Sequence, residues 1–354
     1  MDMGSKTVLV TGAAGWLGSR LVHTLVRGGS ELKDFGNPDA DLRVRCLVLP
    51  TEDTSLIDDL RDEVEIIRGD LTRPEDCASF CNGAKDAIAF HTAGVIHPSR
   101  RAQFYQVNVD GSCNMIESCV AARVKRIIVV SSNSPCGTNP HPDHVFDESS
   151  PYRPYLHYGR SKMLMEQEIS RVQKRGDIET VTIRAPWFYG PHQPARQSLF
   201  FRMIRDGKVP VIGGGENLRS MTYIDNLCQG LVLAAGTEAA NGETYWIADD
   251  QPYTMNEVVE TIEGLLETEF NQECTHIRIA LPNLVSELAL IADRAYQALG
   301  GYNSKLHVLS EMNKTIVCSI EKARTELGYR PVVALPEGMR RSLKWLWEVR
   351  GGLR

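Results

Sequence analysis

Short, continuous apolar runs that end in small or polar residues alternate, through the first half of the chain, with segments of helical period. Thr7–Thr11 predicts a fully buried strand, and Leu21, Val22 and Leu25 predict the apolar face of the helix after it. Further strands are predicted over Arg43–Leu49, Glu65–Arg68, Ala87–His91, Ile127–Val130 and Glu179–Arg184, with helices at Pro74–Cys81 and Phe104–Ala122 and a polar loop at Gly28–Asp41. Strands and helices alternating at this spacing imply an α/β architecture, a doubly wound parallel sheet whose ligands sit at the carboxyl ends of its strands. Gly69-Asp70-Leu71, Thr92-Ala93-Gly94 and Ser131-Ser132 fall at such ends.

Beyond residue 190 the alternation fails. An Arg- and Phe-rich loop and helix (His192–Lys208) are followed by a Gly213–Gly215 turn, a helix over Asp225–Ala235, a strand over Thr244–Ala248 and a mostly helical remainder. The expected organisation is a Rossmann-type NAD(P)-binding domain over 1–190, with 221–250 packing back on it. Residues 191–220 and 251–354 then form a smaller, mostly helical substrate-binding lobe.

The stretch Thr11-Gly12-Ala13-Ala14-Gly15-Trp16-Leu17-Gly18 lies between the first strand and its helix. Three glycines there permit a tight turn, close approach of a pyrophosphate to backbone N–H groups and close helix-to-sheet packing, so a dinucleotide is expected. The second strand ends in Val48, Leu49 and Pro50, without the acid that holds a ribose hydroxyl or the arginine that takes a 2'-phosphate. NAD or NADP therefore stays open, with a lean to NAD and Glu52 or Asp53 as substitutes for the acid.

Composition narrows the partners. The net charge of -6 gives no reason to expect nucleic acid, and no apolar run approaches the length needed for membrane insertion. Nine cysteines without a Cys-x-x-Cys pair fit buried, reduced thiols and a cytoplasmic address, and His97, His141 and His144 fit a pocket mouth better than a metal, so no metal is expected. A small-molecule substrate is the remaining partner.

Tyr158-Gly159-Arg160-Ser161-Lys162 places a phenol and an ammonium a helical turn apart. A nearby lysine favours phenolate, which makes tyrosine a usable acid or base nearer neutrality.

Together these motifs, with Asn108-Val-x-Gly111 and Tyr223-Ile-Asp225, resemble the extended short-chain dehydrogenase/reductase family, often called the NAD-dependent epimerase/dehydratase family. The resemblance spans nearly the whole chain. It implies Tyr158 as general acid/base, Lys162 on the nicotinamide ribose and Ser132, in preference to Ser131, on the reacting oxygen. It places Gly12, Gly15 and Gly18 on the pyrophosphate, Asp70 and Leu71 on the adenine, and Ala93 and Gly94 along the middle of the cofactor. Ala14, Trp16, Leu17, Thr92, Asn108, Ser131 and Pro186 complete the implied cofactor set, Asn108 being better read as a buried, helix-orienting amide. A homodimer through the helices holding Asn108 and Tyr158 is also implied.

Within the family, Ser132-Asn133-Ser134 lacks the acids of dehydratases and decarboxylases. Arg219 matches the arginine that grips a nucleotide diphosphate and favours an epimerase, with Arg196, Arg202 and Arg205 read as solvated charges. Against the epimerase, Trp187 stands where an asparagine is usual, and the C-terminal lobe, from Leu281-Pro282 to Ser319–Pro331, resembles the 3β-hydroxysteroid dehydrogenase branch. The expected activity is hydride transfer at a secondary alcohol or ketone, with Ser132, Asn133, Trp187 and Arg219 toward the substrate. A nucleotide-sugar epimerase is the alternative, and a non-catalytic NAD(P)-binding sensor the third reading.

Overall fold

The computed structural model describes residues 4–28 and 41–353. The first three residues and all but the ends of the polar loop Gly28–Asp41 lie outside the described residues. Strands β1 (Thr7–Thr11), β2 (Arg43–Val48), β3 (Val64–Arg68), β4 (Ile88–His91), β5 (Arg126–Ser132) and β6 (Glu179–Ala185) join Thr244–Trp246 in a seven-stranded sheet. Its order is β3-β2-β1-β4-β5-β6 and then Thr244–Trp246, and every pairing is parallel. The order reverses between β1 and β4, which opens a crevice at their carboxyl ends.

Alternation along each strand feeds two cores. On β1, Val8 and Val10 face a core to which helix α1 (Trp16–Arg27) and the helices Ile224–Gly236 and Leu335–Arg350 also contribute. Leu9 faces the other way, into a layer built from Phe80, Met115, Ile116, Met165 and Ile169. Both faces are covered, so the strands read as unbroken apolar runs.

Three elements differ from expectation. β5 runs through Ser131 and Ser132, because pairing with β6 continues to Ser132↔Ala185. The helix expected over Phe104–Ala122 contains a π-helical stretch at Gln106–Gly111, a widened turn that carries the fully buried Asn108. The strand expected over Thr244–Ala248 has three residues, its register ending at Trp246↔Arg184.

After β6 the chain forms a strand at Trp187–Tyr189, the helix Ala195–Arg205, a pair of short strands at Pro210–Ile212 and Ile279–Leu281, and the helices Met255–Phe270, Asn283–Ala298, Ser304–Glu311, Glu321–Leu327 and Leu335–Arg350. The Tyr223-Ile-Asp225 motif is structural: Asp225 takes a two-pronged ion pair from Arg20 on α1. That pair clamps the Ile224–Gly236 helix to α1.

Candidate active site

The glycine turn divides its labour. Gly12 has φ +66°, and a Cβ there would lie 2.8 Å from the Ala93 Cα; a Cβ on Gly18 would lie 2.0 Å from the Gly12 carbonyl oxygen. Gly12 and Gly18 thus let turn, helix and β4 close on one another. A Cβ on Gly15 would meet only the Gly12 carbonyl, at 3.1 Å, so this residue leaves room beside the N-terminus of α1. That helix has no side-chain cap and no acid in its first turn, and the N–H groups of Trp16 and Leu17 are left for an anion. The cradle fits a dinucleotide pyrophosphate. The Trp16 indole donates to the Pro191 carbonyl at 2.7 Å and rests 4.9 Å from the Phe188 ring, tying this turn to the chain beyond β6.

Farther along the crevice, one Asp70 carboxylate oxygen is held by the Thr72 amide and hydroxyl, both at 2.8 Å, and its second oxygen has no partner among the described residues. Leu71 is buried beneath it. Past β2, the Leu49 amide donates to Glu52, Asp53 is occupied by Ser55, and Arg68 is spent on the carbonyls of Leu49, Pro50 and Glu52. After β4, Thr92 donates to the Thr11 carbonyl at 2.7 Å. The Asn108 amide accepts from the Val95 N–H and donates to the Val95 carbonyl and Ser161. Asn108 therefore braces the Gly94–Val95 loop, with its hydrogen-bonding capacity used internally.

Tyr158 and Lys162 share one face of the helix Leu156–Arg175. The sequence around Tyr158 sets how near that helix comes to the sheet. A Cβ on Gly159 would fall 2.3 Å from the Ser134 carbonyl oxygen, and one on Gly137 2.4 Å from that of Arg153. Only glycine permits these approaches, which set Tyr158 near enough to Ser132 for that hydroxyl to act on the phenol. Ser131 points to the opposite face, where its hydroxyl donates to Glu166. Glu166 is also held by Arg184 at 2.7 Å and Tyr152 at 2.9 Å, deep under the helix Leu156–Arg175.

The electrostatics correct one expectation. Burial pushes the Tyr158 phenol up to about 12; the nearby Ser132 hydroxyl and Arg196 oppose the rise, and Glu311 adds to it. Lys162 is not among these influences. Its ammonium donates to the Val130 carbonyl at 2.9 Å, and burial pulls it down to about 8 against the attraction of Glu166. The lysine extends past the tyrosine to Gly94, where an added Cβ would lie 3.2 Å from its Nζ. It sits at the crevice, where a ribose would pass.

On the substrate side, Asn133 accepts weakly from Ser132 at 3.3 Å, Pro186 is buried, and Trp187 packs edge-on to Phe200 with ring centroids 6.1 Å apart. Arg219 donates to the Glu311 carbonyl, but its buried Nε has no partner. Arg205 is structural, bonded to Asp206, Gln272 and the Leu353 carbonyl. Arg196, read from sequence as a solvated charge, is exposed, and lies near enough to Tyr302 and Tyr158 for its charge to act on both. His97 bonds the Tyr302 hydroxyl at 2.7 Å, and burial, Arg196 and His307 pull it down to about 4. Gly159, Glu166 and the His97–Tyr302 pair went unnoticed in the sequence; the glycine inside the Tyr-Gly-x-x-Lys helix was the available signal for the first. Among the described residues, no group of three or more His, Cys, Asp or Glu gathers as metal ligands.

Residues 8–248 match the model of the NAD dependent epimerase/dehydratase family. The chain is 48% identical over 348 residues to the uncharacterized protein y4nL of Sinorhizobium fredii, covering 98% of this chain and 96% of that protein. It is 30% identical to 3beta-hydroxysteroid-dehydrogenase/decarboxylase isoform 1 of Arabidopsis thaliana, covering 95% of this chain and 78% of that protein. Among solved structures, the dTDP-glucose 4,6-dehydratase DesIV of Streptomyces venezuelae, with NAD and TYD bound, superposes with a TM-score of 0.76 at 24% identity, covering 98% of each chain.

Proposed function

This chain belongs to the NAD dependent epimerase/dehydratase family and is an NAD-dependent oxidoreductase of that family; within it we propose a dehydrogenase or ketoreductase that transfers hydride at a secondary alcohol or ketone. The observation that carries this reading is the grouping of Tyr158 with Ser132, near enough to favour its phenolate, at the carboxyl end of β5 beside Lys162 and Gly94. The bound nicotinamide supplies or accepts the hydride. Tyr158 takes the proton from the alcohol oxygen or returns it, and Ser132 donates to that oxygen as charge develops. Lys162, cationic below about pH 8, holds the ribose and biases the phenol once the cofactor brings them together. Trp16 and Leu17 present backbone N–H groups to the pyrophosphate beside Gly15, whose own N–H bonds the Gly12 carbonyl, and Asp70 meets the adenine. We favour NAD over NADP because Arg68, which reaches the loop after β2, is already bound to three carbonyls there.

Trp187, packed on Phe200, offers an apolar face, and the activity named for the Arabidopsis relative supports an alcohol on an apolar framework as substrate. Residues 191–220 and 251–354 act as the substrate-binding lobe. Nine free cysteines support a reducing, cytoplasmic setting, and the helices bearing Asn108 and Tyr158 are the proposed homodimer faces.

The test is Tyr158→Phe. Nucleotide affinity should stay within about twofold while turnover falls roughly 10²- to 10⁴-fold; unchanged turnover would overturn the assignment. The unpartnered buried Nε of Arg219 favours a second reading, a nucleotide-sugar epimerase. Cofactor that co-purifies with the protein, with no net change in nicotinamide absorbance during turnover, would select it.

A further inference from the structure

The helix Asn283–Ala298 is built inside out. Its buried face carries Ser286, Ala289, Asp293 and Gln297. Ser286 donates to the Leu309 carbonyl, Asp293 pairs with His307 at 2.9 Å, and Gln297 accepts from the His157 amide at 3.4 Å. The outer face carries Leu284 (63% exposed), Leu288 (56%), Ile291 (64%), Tyr296 (46%) and, just past the end, Leu299 (87%). Leu284, Leu288 and Ile291 recur at helical spacing, so they form one stripe, with Ala295 and Leu299 in line. A helix that spends its polar residues on the protein and its leucines on the outside has its apolar partner elsewhere.

Charge selects the partner. Arg294 on this helix, Lys305 beside it and Arg100, next to the Arg101 amide that donates to the Gly300 carbonyl, are all exposed. The helix's two acids are spoken for, Asp293 by His307 and Glu287 by Lys314. A second copy related by a twofold axis would set these cations against themselves with no free acid on the helix to meet them. An interfacial plane of apolar chains below anionic headgroups satisfies both features, with leucines dipping, cations at headgroup level and Tyr296 at the boundary. The geometry points to this face as a docking surface for a lipid bilayer carrying anionic lipid. The helix would lie in the plane of the interface; no helix among the described residues is long and apolar enough to cross it. This inference stands apart from the catalytic reading and does not depend on it.

The experiment is co-sedimentation of the full chain with vesicles of phosphatidylcholine and phosphatidylglycerol in roughly two-to-one ratio, against phosphatidylcholine alone. Binding to the mixed vesicles is expected. Leu284→Gln, Leu288→Gln and Ile291→Gln combined should lower it at least about tenfold with circular dichroism unchanged, since all three side chains are exposed. Independently, Arg294→Gln and Lys305→Gln should each weaken it about fivefold. No binding of the wild-type protein to either vesicle overturns the proposal. So does a wild-type oligomer that the triple variant dissociates, because a second copy then covers the stripe.

Discussion

Ser131 and Ser132 are neighbours on β5, yet the Ser131 hydroxyl donates to Glu166 under the Leu156–Arg175 helix while that of Ser132 lies near enough to the Tyr158 phenol to favour its ionised form. Strand alternation alone separates them. Ser132→Ala should cost turnover roughly 10²- to 10³-fold with stability little changed, as expected for a donor aimed at developing charge. Ser131→Ala should instead lower unfolding free energy by about 1–3 kcal/mol and largely spare turnover. Steady-state kinetics and denaturant unfolding of both variants check the division; equal kinetic losses would refute it.

The Glu166–Arg184 pair, both partners almost fully buried, should behave as a structural ion pair. Glu166→Gln leaves the guanidinium between the rings of Tyr152 and Trp246 without its anion, at a cost of about 3–5 kcal/mol. Adding Arg184→Met should restore part of the loss. A double variant no more stable than Glu166→Gln alone would show that the pair's charges are not coupled.

Acid should weaken the fold through His91. Burial pulls its ring down to about 3, with Lys162 adding to the effect. Ser112 spends its proton on the Asn108 carbonyl and so accepts from Nε2, leaving Nδ1 to accept from Thr11; the ring is a neutral tautomer by its hydrogen bonds. A histidine whose folded value lies below its unfolded one gives full stability above about pH 6.5 and loses it as pH falls toward 3, on the order of 4 kcal/mol across that window. His91→Gln should flatten the difference in that range, read by urea unfolding at a series of pH values.

Gly159 and Gly264 offer a paired test, since both are helical glycines in opposite surroundings. Gly159→Ala drives a Cβ into the Ser134 carbonyl and displaces Tyr158 from Ser132, which should cost turnover about tenfold to a hundredfold even where the protein folds. Gly264→Ala meets nothing within 4 Å in the helix Met255–Phe270 and should stabilise by about 0.5–1 kcal/mol. Thermal melts and kinetics of the two variants separate the effects.

Much of this was legible in the chain. Continuous apolar runs ending in Gly, Asp or Ser revealed the parallel sheet and its ligand-bearing edge, because a strand buried on both faces has no polar position to spare. The helical spacing of Tyr158 and Lys162 and the turn from Gly12 to Gly18 were local, and local geometry follows from local sequence. What the chain could not disclose was direction and company. Periodicity tells that Ser131 and Ser132 face opposite ways but not which of them meets Tyr158; that was decided by a helix arriving from more than twenty residues away, admitted by Gly159. The same holds for Lys162, whose charge is set by burial and Glu166 more than by its spacing from Tyr158. Desolvation and cross-element contact belong to the packed structure, and no single segment encodes them.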